Sequence, residues 1–104
     1  MPASPKPRTR RTADALRQLA NVGPAIRRDL SLLGIDTVDQ LASQNADELY
    51  LRLQVLTQSD QDPCVWDTFA AIIHEARTGE RTPWWHWTPI RKERQKAGSF
   101  QRRL

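Results

Sequence analysis

Three groups of residues in this 104-residue chain are of types that could do chemistry. The first is Asn21-Val22-Gly23-Pro24, followed by Arg27 and Arg28. Asn and Gly tolerate the positive φ that a tight turn needs, and Pro suits the first turn of a helix, where a missing N–H costs nothing. A helix that starts there offers free N–H donors and a partial positive charge, which together favour an anion. The second group is Trp84, Trp85 and Trp87, bracketed by Pro83 and Pro89 with Arg81, Arg91 and Lys92 nearby. Such a cluster can stack on an unpaired base. It can equally cover a small core with aromatic area, and that burial argument favours packing for at least two of the three. The third group is Cys64 with the acids Asp60 and Asp62. A helix start can lower a thiol pKa, but a lone cysteine there is more often a small buried apolar residue. His74 lies ten residues on, about 15 Å away by helical rise, too far to act on that thiol. Cys64, His74 and His86 show no metal-ligand spacing, so neither a metal nor another cofactor is expected. Asp62 reads as a helix cap and Asp60 as loop polarity, which leaves no catalytic residue and no enzyme.

The elements that must position these groups are short helices. Leu16 and Leu19 give a first helix, about Ala13 to Ala20 with Thr12 as cap, its apolar edge. Ile26, Leu30 and Leu33 line the next, which Gly34 stops in a left-handed conformation so that Ile35 can pack back. Thr37 with Gln40, and Asn45 with Glu48, resemble capping boxes. The first opens a short helix through Val38 and Leu41. The second opens a helix over Ala46 to Thr57 with the stripe Leu49, Leu53, Leu56 and with Tyr50 half-buried beside it. The longest helix runs from Pro63 to Thr78 on Val65, Phe69, Ile72, Ile73 and Ala76, and Gly79 ends it. No segment reads as a credible strand.

Charge divides the chain. Residues 1–12 carry four basic residues and no acid, residues 13–76 four arginines against ten acids, and residues 77–104 eight basic residues against two acids. The basic balance therefore belongs to the ends, the usual electrostatic footprint for nucleic acid. The expected organisation is a disordered basic tail over 1–11, a helical domain over 12–79, a Trp-rich strap packed on it over 80–90, and a basic flexible tail over 91–104, with a transient helix up to Ala97. One cysteine permits no internal disulfide and suits a reducing compartment. No apolar run approaches a membrane span, so a cytoplasmic location is the default expectation.

The stretch from Leu16 to Ile35 resembles a helix-hairpin-helix unit. That resemblance implies double-stranded DNA as partner, bound without sequence preference. Val22 would plug the turn into the interior, and the N–H groups around Gly23, Ala25 and Ile26 would face a phosphate. Asn21 stands where such units usually have their first hairpin Gly, and Arg27 where they usually have Ala, which marks Arg27, with Arg28, as a phosphate contact. The order L-A-N-V-G-P…D-L…L-G-I (19–35), V-D-Q-L (38–41), A-D-E-L-Y-L-R-L (46–53) and D-P-C-V-W (62–66) is similar to one family. That family is the small bacterial pathogenicity-locus family of helix-hairpin-helix proteins, whose members also carry mitomycin-resistance labels. A more distant similarity is to the C-terminal domain of TfoX competence regulators. The implied fold is all-α, a SAM-domain-like bundle of about five short helices with a Trp-rich C-terminal strap. The expected function is a non-enzymatic, sequence-independent DNA-binding module, assisted by the basic tails. The alternative is a protein-interaction adaptor in which the hairpin is purely structural and Trp84, Trp85 or Trp87 contacts a protein partner.

Overall fold

A computed structural model of the chain describes residues 15–16 and 18–100. The expected cap at Thr12, the start of the first helix and the tail residues 1–11 and 101–104 lie outside them. Ala15, Leu16 and Gln18 are helical, and a turn over 19–23 follows. Five α-helices come next: α1 (Pro24–Leu32), α2 (Val38–Ala42), α3 (Ala46–Thr57), α4 (Cys64–Thr78) and α5 (Thr88–Ala97). A single 3₁₀ turn, η1 (Trp84–Trp87), leads into α5 without a break. The described residues contain no strand.

Local chemistry sets most boundaries. Pro24 occupies the first turn of α1. At the other end Gly34 takes φ 78°, and the N–H groups of Gly34 and Ile35 donate to the carbonyls of Ser31 and Leu30. This double closure uses carbonyls the helix itself leaves unpaired, and it turns Ile35 inward to 2% exposure. Thr37 and Gln40 form a complete capping box on α2. Asn45 accepts from the Glu48 N–H at 3.2 Å and so supplies only the side-chain half of the box expected on α3.

α4 is the central rod. Phe69, Ile72 and Ile73 meet Leu16, Leu30, Leu41, Leu49 and Leu53 in one core. The stripe expected on α3 needs one correction. Leu49 and Leu53 are buried, but Leu56 is 56% exposed, and Tyr50 and Gln54 take the inner face instead. Their polar atoms are satisfied inside. The Tyr50 hydroxyl donates to the Gln61 carbonyl at 2.6 Å, and Gln54 Oε1 accepts from the Gln61 N–H at 3.4 Å. Tyr50 is therefore fully buried, not half-buried, because the 58–63 loop offers its hydroxyl an acceptor.

The C-terminal segment also differs from expectation. Residues 88–97 form a packed helix where a flexible arm is expected, because Arg91 turns inward and pairs with Asp67 of α4. Thr88 Oγ1 donates to the same carboxylate at 2.7 Å. Arg94 pairs with Asp47 and lies 5.2 Å over the Trp66 ring. Phe100 closes the segment against Tyr50 and Trp66.

Candidate functional site

The turn over 19–23 is built on one residue with left-handed backbone, Asn21, at φ 71°. Val22 packs against the core, the plug position the sequence suggests. Gly23 is in extended conformation (φ −92°, ψ −177°) and forms the N-cap of α1. The positive φ expected of both Asn21 and Gly23 is thus carried by Asn21 alone. What Gly23 provides is an open approach: a Cβ placed there would meet nothing within 4 Å.

The amides of the turn fall into two sets. The Ala20 N–H donates to Glu75 Oε1 at 2.9 Å, and the Val22 N–H donates to the Leu19 carbonyl at 3.3 Å. These are closed. The N–H groups of Gly23, Ala25 and Ile26 find no acceptor among the described residues. Gly23 and Ala25 are exposed and Ile26 is half-buried. They are the free donors that every helix N-terminus leaves, at its positive end.

The neighbouring charge is positive. Val22, Gly23, Pro24, Arg27, Arg28 and Ser31 line a shallow concavity of about 630 Å³ that runs from the turn along one face of α1. Arg28 is exposed, whereas Arg27 is half-buried, and its Nε is shut off from solvent with no partner among the described residues. Burial pushes the Asp29 carboxyl up from its ordinary value, and the Arg28 charge works against that shift. The acid nearest the turn, Glu75, is neutralised: Arg81 Nε donates to its Oε2 at 3.1 Å, and an Arg81 NH2 donates to the Gln18 carbonyl at 2.8 Å.

Asn21 does more than bend the chain. Its carboxamide N–H₂ donates to the Thr82 carbonyl at 2.8 Å, and its Oδ1 accepts from the Trp84 N–H at 3.3 Å. The side chain is committed to the strap, 61 residues away, and is not free to hold an anion. In the sequence Asn21 stands out only for its backbone tolerance. Glu75, Arg81 and Thr82 carry no local signal, because their partners are distant in the chain.

The tryptophans divide. Trp87 packs on the core, donates through Nε1 to Thr82 Oγ1 at 2.9 Å and faces the His74 ring at 5.2 Å. Trp84 and Trp85 are 38% and 62% exposed. One of the three is therefore inside, not two. Asn21 and Trp87 already anchor the backbone of η1, so burying its other two indoles is not needed to hold it. Cys64 is half-buried, and its thiol is pushed up by burial, by a hydrogen bond to Asp62 and by the charges of Asp62 and Asp67, against the opposing effect of Arg91. The helix starts at Cys64 with Pro63 as its N-cap, one residue later than expected, and Asp62 Oδ1 accepts the Cys64 N–H at 2.9 Å from just outside it. Among the described residues no three His, Cys, Asp or Glu side chains gather as metal ligands, and no helix is long and apolar enough to cross a membrane.

Comparison with known proteins places the chain in a family. The model of the Cdd1 family, described as "Pathogenicity locus", matches residues 9–93, from before the turn to past the strap. The chain belongs to the Cdd1 pathogenicity-locus family. A relative from Streptomyces lavendulae, the mitomycin resistance protein McrB, is 36% identical over 77 residues, covering 74% of this chain and 73% of its own. No solved structure gives a significant match. The matched segment of this Cdd1-family chain includes Asn21, Gly23, Arg27, Arg28 and all three strap tryptophans.

Proposed function

We propose that this Cdd1-family protein is a non-enzymatic DNA-binding module that holds a backbone phosphate at the start of α1. In this reading the turn is the bend of a helix-hairpin-helix, and the free N–H groups of Gly23, Ala25 and Ile26 donate to the phosphate. Arg27 and Arg28 line the same concavity and add charge-assisted contacts. The observation that carries the proposal is this coincidence: three unpartnered donors and two arginines at one exposed helix end, with Glu75 already neutralised by Arg81. Contacts to phosphate alone do not read sequence, so binding is indifferent to base order. The basic tails outside the described residues extend the footprint, and the expected setting is the cytoplasm. The relative's resistance label names a phenotype and not a ligand.

The test is binding of a labelled duplex across a salt series. Each neutralised phosphate contributes a slope of about −0.9 in log affinity against log salt. Gly23→Glu places a carboxylate where the phosphate would sit, at a position with ordinary φ and open space, so the fold is kept. The proposal expects this variant to lose most duplex affinity. Unchanged affinity would reject the turn as the site.

A second reading, a protein-interaction adaptor in which the turn only packs, is favoured by one observation. Leu32, Val55 and Leu56 are each more than half exposed, as large apolar side chains at a partner surface are. Under that reading any duplex affinity comes from the basic ends, and deleting residues 1–11 and 91–104 abolishes it while a protein partner is still bound.

A further inference from the structure

We infer that Trp84 and Trp85 form a stacking site for an unpaired base, so that the preferred DNA of this protein is a duplex bordering a single-stranded stretch. The inference rests on the phosphate-binding reading above and names its substrate class.

Three observations carry it. First, the Asn21 carboxamide ties the turn to the strap at two points, the Thr82 carbonyl and the Trp84 N–H. Gly23 lies two Cα steps from Asn21, so the Trp84 backbone stands within roughly 14 Å of Gly23, the first of the proposed phosphate donors. That reach is about four nucleotide rises of B-form strand. Second, both indoles reach solvent, Trp85 at 62% exposure and Trp84 at 38%. Trp87 shows what a packed indole looks like in the same turn, with its ring on the core and its N–H bonded to Thr82. The indole N–H groups of Trp84 and Trp85 donate to no described residue, and both rings meet solvent. Consecutive residues of a 3₁₀ turn point about 120° apart, so each exposed indole offers its own face, and one such face is enough to stack a base without regard to sequence.

Third, the charge that follows suits a strand leaving the stack. Arg81, Arg91 and Arg94 are occupied by Glu75, Asp67 and Asp47. Lys92 and Lys96 are exposed one helical turn apart on α5, which continues directly from η1, and among the described residues neither has an ion-pair partner. A protein partner for the same patch would have no need of a phosphate site beside it. The occupant that uses both is a nucleic acid with a base free to stack.

The experiment compares a blunt duplex with the same duplex carrying a short oligo-dT overhang, 5′ or 3′, using the full chain. Wild type, Gly23→Glu, Trp84→Ala/Trp85→Ala and Trp84→Phe/Trp85→Phe are measured. Wild type should prefer an overhang duplex by at least about fivefold, the smaller end of what one stacked base contributes. The alanine pair should lose that preference while keeping its blunt-duplex affinity, and the phenylalanine pair should keep a large part of it. Gly23→Glu should weaken both ligands. Equal binding of both duplexes by wild type, or an overhang preference that survives the alanine pair, overturns the stacking site and leaves the phosphate site standing. Unchanged binding of both ligands by Gly23→Glu overturns the phosphate site, and the inference falls with it.

Discussion

Asp67 and Arg91, 24 residues apart, form a two-point ion pair inside the protein, Nε to Oδ1 at 3.0 Å and a guanidinium NH2 to Oδ2 at 3.1 Å. Asp67 is fully buried and Arg91 is 8% exposed. Thr88 donates to the carboxylate as well, and Gln95 Oε1 accepts from the remaining guanidinium nitrogen at 3.2 Å. This cluster turns a basic, hydrophilic stretch into a docked helix, and it fixes the η1 turn that precedes it.

Removing one partner leaves a buried charge alone. Arg91→Ala should cost about 3–5 kcal/mol, most of a small domain's stability. Asp67→Leu with Arg91→Met should recover much of the loss, because both charges then leave the interior together. Urea unfolding followed by circular dichroism checks both. An Arg91→Ala loss below about 1 kcal/mol would show that α5 is not held by this pair.

Cys64 gives a prediction with a pH sign. Its thiol ionises at higher pH in the folded protein than in the unfolded chain, chiefly through burial and then through Asp62. As pH rises through the ordinary thiol range, the unfolded chain loses its proton first, so stability falls there. The thiolate is the reactive form. Alkylation by iodoacetamide near pH 8.5 should therefore be several-fold slower in the folded protein than in urea, and the folded rate should keep rising at higher pH. Equal rates in both states would remove the claim that this site suppresses the thiolate.

The Asn21 staple is tested without disturbing its backbone. Asn21→Gly keeps a residue that accepts φ near 70° and deletes both bonds to the strap. The Trp84 amide should then exchange with solvent at least tenfold faster, and overhang binding should fall more than blunt-duplex binding. Asn21→Ala adds strained backbone and should be the less stable of the two. If exchange at Trp84 is unaltered by the glycine, the staple does not hold the strap.

What the sequence reveals about this molecule is what is local in it. Thr37 with Gln40, Asn45 with Glu48, Pro24, Gly34 and Gly79 mark helix ends through neighbours within a few residues, and the helices begin and end where those residues stand. The turn at 19–23 and the donors after it are legible for the same reason. Side-chain partners far along the chain are not. Nothing near Asn21 announces Thr82, nothing near Arg91 announces Asp67, and nothing near Ala20 announces Glu75. The Leu56 error has the same origin. Periodicity places it on the α3 stripe, but the 58–63 loop supplies acceptors and donors that draw Tyr50 and Gln54 inward instead. The Trp strap is misjudged because burial arguments count area and cannot see that Asn21 already anchors the backbone.

The grip on phosphate is best tested at the amides themselves. Titration of ¹⁵N-labelled protein with a short blunt duplex, followed by amide and arginine Nε resonances, reads each donor separately. The account predicts that the N–H groups of Gly23, Ala25 and Ile26 and the Arg28 Nε–H move most, and that the shifts reverse as salt is raised. Shifts confined to the tails, or to α3 around Val55 and Leu56 while those four groups stay still, would contradict it.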